Sequence, residues 1–68
     1  MKSLSGKDFA KLLQKKGWNC IRINGSHHIF EKVGVIQKTS LPIHSNQSLK
    51  PGIQRFFMKI AGILEKDL

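Results

Sequence analysis

The chain has 68 residues, with 12 Lys plus Arg against 4 Asp plus Glu, a net charge of +8 when its histidines are neutral. That length holds one small domain, residues 1–68, whose apolar positions are mostly needed for its core and whose net stability is on the order of 5 kcal/mol; the charge favours a polyanionic partner, whether nucleic acid, an anionic membrane surface or an acidic protein, over a solvated surface that is merely basic. The single cysteine excludes an internal disulfide and a four-cysteine zinc framework, and without a secretory leader or an apolar run near ~18 residues the expectation is a cytoplasmic protein with no membrane partner.

Ser5-Gly6-Lys7-Asp8 has the form of a capped helix start, with Ser5 as N-cap and Asp8 at the third helical position. Phe9, Leu12 and Leu13 follow at the spacing of one helical face, and Gly17 suits the position just past the end. The helix is expected over residues 6–16, with Trp18 folding back on Leu13. Lys7, Lys11 and Lys15 are four apart and form one basic stripe, a feature as common on a solvated face as at a phosphate contact.

Residues 18–23 are aromatic and β-branched enough to form a strand, with Ile21 and Ile23 on one face and Cys20 and Arg22 on the other. Cys20 reads as a small buried hydrophobe. Asn24-Gly25 and the Gly25-Ser26 pair signal a tight hairpin turn. A second strand follows over residues 27–32. It puts His27, Ile29 and Glu31 on one side and His28, Phe30 and Lys32 on the other. A third is expected over residues 35–43, with Val35, Thr39, Leu41 and Ile43 on one face and Pro42 at its end.

A polar stretch leads to Pro51, which suits the first position of a helix. Ile53, Phe56, Phe57, Ile60, Ala61 and Leu64 then recur at helical spacing and read as a core face, with Arg55 and Lys59 pointing away. Gly62 either ends this helix or is spanned by it, and Leu64 favours a further turn. The order is α-β-β-β-α. Short turns make the sheet antiparallel, and two amphipathic helices on one of its faces leave the other open. This α+β order is that of the double-stranded-RNA-binding fold, an analogy that carries no function by itself.

Two of the three histidines stand in Gly25-Ser26-His27-His28-Ile29-Phe30, where a turn delivers them to the rim of the sheet. Histidine takes and gives protons near neutrality, its unperturbed pKa being about 6.5. RNA carries its own nucleophile, the 2′-hydroxyl, so one positioned imidazole with nearby cations makes a minimal metal-independent ribonuclease. The four carboxylates are scattered, which argues against a two-metal site. His27 and His28 point to opposite faces and are poorly placed to share a zinc ion with His44. On the residues alone three readings stay open: a histidine ribonuclease, a non-catalytic RNA-binding module, and a domain whose basic face binds an acidic protein. A surface or turn histidine is the ordinary role for His27, and a structural one for His28 and His44.

Three pieces in order narrow this: the first helix ending in Lys16-Gly17-Trp18, the Gly25-Ser26-His27-His28-Ile29-Phe30 turn and strand, and Leu41-Pro42-Ile43-His44 running through Leu49-Lys50-Pro51-Gly52-Ile53 into a helix that closes on Ile60-Ala61-Gly62-Ile63. Together they resemble the HicA-type toxins of bacterial toxin–antitoxin modules, small proteins that cleave messenger RNA. The resemblance implies a double-stranded-RNA-binding-like fold, endoribonuclease activity on mRNA with no cofactor or metal, and inhibition by a HicB-type antitoxin. It implies that His27 is the catalytic histidine and that the Gly25-Ser26 turn borders the RNA. His44 matches a frequent histidine without a catalytic role to transfer, and is expected at the RNA. Arg22 and Lys50 are the cations expected on phosphates. Ser45 departs from the pattern, standing where a glycine is frequent.

Overall fold

A computed structural model describes residues 2–68. Helix α1 (Gly6–Lys15) opens on the expected cap: the Ser5 hydroxyl accepts from the Asp8 N–H at 3.2 Å. Its end is a Schellman stop. The Trp18 N–H donates to the Leu13 carbonyl and the Gly17 N–H to that of Gln14, which swings Trp18 back into the core, where it is almost wholly buried.

Three strands follow, β1 (Asn19–Asn24), β2 (His27–Glu31) and β3 (Thr39–Pro42), forming an antiparallel sheet in the order β1-β2-β3. The β1–β2 turn is Gly25-Ser26, with Asn24 paired to His27. Gly25 has φ 63 while Ser26 stays on the negative side, the pattern of a type II′ hairpin turn. Only its φ calls for glycine there, since a Cβ would meet no atom within 4 Å.

Helix α2 (Pro51–Ala61) begins on Pro51 as expected and ends at Gly62, which adopts φ 68, so the glycine is not spanned. A short 3-10 turn, η1 (Glu65–Asp67), comes after it. The core joins Phe9 and Leu13 of α1, Trp18, Phe30 and Leu41 of the sheet, and Phe57 and Ala61 of α2, with the Phe9 and Phe57 rings 6.2 Å apart. Both helices therefore cover one face of the sheet, the α+β arrangement expected from the sequence.

Several local expectations are corrected. A bulge between Cys20 and Arg22 breaks the two-residue alternation of β1. Cys20 now pairs with Phe30 and Arg22 with Ile29, so the two no longer share a face. Cys20 is exposed rather than buried, on an edge strand whose six residues are all exposed.

The third strand is Thr39–Pro42, not residues 35–43. Its last rung on β2 is Phe30–Thr39, and a turn closed by Val35 N–H on Lys32 C=O leads into it. Val33 and Ile36 stand almost free in solvent, β-formers with no neighbouring strand to pair.

On α2 the buried stripe is Gln54, Phe57 and Ala61, whereas Phe56 is 52% exposed and Leu64 is exposed after the helix has ended. Gln54 is fully buried because its amide ties down the chain before α1: Nε2 donates to the Lys2 carbonyl at 2.7 Å and Oε1 accepts from the Leu4 N–H at 3.1 Å. The Leu4 carbonyl in turn accepts from Leu49, and Ser5 bridges to Ser48.

Two features give tests of the scaffold. The Thr39 hydroxyl is buried with no hydrogen-bond partner. Thr39→Val should raise stability by about 1 kcal/mol by removing an unpaired polar group while keeping the shape, a difference readable in urea unfolding. Asp67 has its carboxyl held below the ordinary value, first by the Leu64 N–H and then by the Lys16 ammonium at 3.3 Å. A depressed carboxylate contributes stability above its unfolded pKa and loses it as the pH falls through the folded one. Asp67→Asn should therefore be less stable than the parent at neutral pH, and the gap should close in acid.

Candidate active site

The register decides which side chains share the open face. Directly paired residues point the same way across an antiparallel ladder. His27 pairs with Asn24 and Pro42, and Ile29 with Arg22 and Ser40, so all six lie on the side away from the helices. His28, Phe30, Thr39 and Leu41 lie on the helix side, which is why Phe30, Thr39 and Leu41 are buried.

His27 is exposed at the first rung of the central strand. Its backbone is fixed on both sides, by the Asn24 and Pro42 pairings and by the neighbouring Ser26 carbonyl, which accepts from Ile43 N–H at 2.8 Å. The ring is fixed too: Nδ1 lies 3.3 Å from the Ser40 hydroxyl, one diagonal step across the ladder. A hydroxyl both donates and accepts. It can accept from Nδ1–H, leaving the Nε2 lone pair free as a base, or donate to Nδ1, leaving Nε2–H as an acid. An imidazole held this way can serve in either direction of proton transfer.

The other residues expected at the RNA fall into two groups. Arg22 shares the open face of His27, one pleat further along β1. Gly25 and Ser26 form the turn immediately before His27. His44 and Lys50 come together instead in a small cleft of about 170 Å³, which Pro42, the residue paired with His27, also lines. Lys50 is the N-cap of α2, whose first turn holds no acidic residue, so an anion there meets both its ammonium and the positive end of the helix dipole. Ser45 has φ 52, so the residue that departs from the glycine pattern occupies the left-handed conformation that glycine accepts most easily.

Sequence reasoning missed Ser40 and Asn24. Ser40 belongs to no motif and Asn24 only to the Asn24-Gly25 turn signal, and both become neighbours of His27 through cross-strand register. Among the described residues no three His, Cys, Asp or Glu side chains are grouped to hold a metal ion, and no helix is long and apolar enough to cross a membrane.

A family profile described as the HicA toxin of bacterial toxin-antitoxin matches residues 6–63. The chain belongs to the HicA toxin family. The match runs from the first residue of α1 to the core residue Ile63, so it takes in every strand and both α-helices. Membership makes the chain a toxin of a toxin–antitoxin module, and it brings with it an antitoxin partner and an RNA target in general terms. No curated protein matches the chain.

Proposed function

We propose that this HicA-family protein is a metal-independent endoribonuclease that cleaves mRNA with His27 as its proton-transfer group. The observation that carries the reading is the exposed imidazole at the rim of the open sheet face, with Nδ1 engaged by Ser40 and Nε2 left for substrate. In this mechanism Nε2 takes the proton of a 2′-hydroxyl. The 2′-oxygen bonds to the adjacent phosphorus, and the bond from phosphorus to the 5′-oxygen breaks, that oxygen leaving with a proton from solvent. The products are a 2′,3′-cyclic phosphate and a 5′-hydroxyl. Arg22 on the same face and Lys50 at the start of α2 hold phosphates and offset the charge that builds on phosphorus. Gly25, Ser26 and His44 line the approach.

The partner that silences the toxin is, in this reading, a HicB-type antitoxin that covers His27 and meets the net charge of +8 with an acidic surface. The test is incubation of the purified protein with a long single-stranded RNA in the presence of EDTA, wild type beside His27→Ala. Cleavage by the wild type alone, despite the chelator, supports the mechanism. RNA bound by both but cut by neither would leave an RNA-binding module in place of a nuclease.

A further inference from the structure

Behind His27, on the helix side of the sheet, lies an open cleft of about 910 Å³. His28 and Ile43 contribute from the sheet end. Lys7, Lys11 and Gln14 stand on the α1 side, with Asn46 and Ser48 from the β3–α2 connection opposite. Asp8 is the one acidic residue at the cleft. These are cations, amides, a hydroxyl and an imidazole, the groups that take phosphate and sugar oxygens of nucleic acid. No Phe, Tyr or Trp lines the cleft, so it lacks the usual aromatic anchor of a protein interface.

His28 lines the cleft and His27 stands on the open face, both just after the Gly25-Ser26 turn. His27 and His28 are successive residues on opposite sides of the strand that leaves it. Gly25 has no neighbouring atom within 4 Å of where a Cβ would stand.

We propose that this cleft is a second RNA subsite. The strand cut at His27 passes over the Gly25-Ser26 rim, and its flanking phosphates are held by Lys7 and Lys11. His28, Gln14 and Asn46 meet its sugars. The inference rests on the ribonuclease reading and extends it: substrates are long single strands, gripped without strong sequence preference on the side away from the cut. Two of the three lysines in the α1 stripe thereby gain a role that Lys15, outside the cleft, does not share.

The test uses the full chain carrying His27→Ala, so that RNA is bound and not cut, and reads fluorescence anisotropy of labelled single-stranded RNAs, short and long, across a salt series. Lys7→Ala with Lys11→Ala should weaken binding of the long RNA by about tenfold and flatten its log–log salt slope by about 1.4, twice the ~0.7 expected per phosphate contact. An RNA too short to leave the His27 face should bind as before. Both substitutions are on an exposed helix surface and favour helix, and circular dichroism confirms the fold.

Unchanged long-RNA affinity and slope would overturn the proposal. So would an equal loss from Lys15→Ala with Lys59→Ala, which removes the same charge elsewhere. Retained RNA binding with lost antitoxin binding would give the cleft to the protein partner instead. Binding is read here without cleavage, so a wild type that proved unable to cut RNA would defeat the nuclease reading and leave this measurement standing.

Discussion

His27→Ala should lower RNA cleavage by about a hundredfold to ten-thousandfold, the range that a positioned acid or base contributes. The expected loss is confined to chemistry because the imidazole supports nothing else. It is exposed, it fills no part of the core, and the ladder that fixes its position is made by backbone groups. Circular dichroism, RNA affinity and antitoxin binding should therefore stay close to the parent's. Ser40→Ala is the companion measurement. It frees the ring without removing it, and should cost less than about a hundredfold. Because the hydroxyl engages the ring at Nδ1, its loss should fall on kcat and leave KM close to the parent's. An enzyme that cuts equally well without the imidazole would remove His27 from the mechanism altogether.

Gln54→Leu should destabilise the fold by about 2–4 kcal/mol, a large share of what a domain of this size has. Leucine nearly preserves the volume of the buried side chain, so the cost is not that of a cavity. It comes from the two backbone groups left behind, the Leu4 N–H and the Lys2 carbonyl, which lose their partners in a buried setting. Gln54→Ala adds a cavity and should cost more. Urea unfolding followed by circular dichroism reads both, and the segment before α1 should become the first to open in hydrogen exchange. A Leu variant as stable as the parent would show that the amide contributes nothing net, and that the segment is held by Leu49 and Ser48 alone.

Much of the frame could be read in the sequence because its signals were local. The Ser5 cap, the Lys16-Gly17-Trp18 stop, the Gly25-Ser26 turn and Pro51 at the head of α2 each act through bonds within a few residues. What escaped was set by partners distant in the chain. Gln54 looks like a solvent residue until Lys2 and Leu4 are brought to it from some fifty positions away. Phe56 looks like core until α2 is set down on Gln54, Phe57 and Ala61 instead. Residues 33–38 have strand composition, but β2 has no rung beyond Phe30 on which they could pair with it. The bulge at β1 reversed the relation of Cys20 to Arg22 with no glycine or proline to announce it. At the candidate site the turn histidine was visible in the motif, whereas its neighbour Ser40 depended on a register that only the folded sheet defines.

The core draws on residues from Leu4 to Ile63, and this has a consequence during synthesis. Phe9, Leu13 and Trp18 are made early, but the surfaces that bury them, Phe57, Ala61 and Ile63, leave the ribosome much later. Until they do, α1 and the three strands, all made earlier, lack the α2 side of their core. The domain therefore has no closed core until Ile63 has emerged. A partner that recognises the finished fold meets the toxin no earlier than the moment it first becomes able to act.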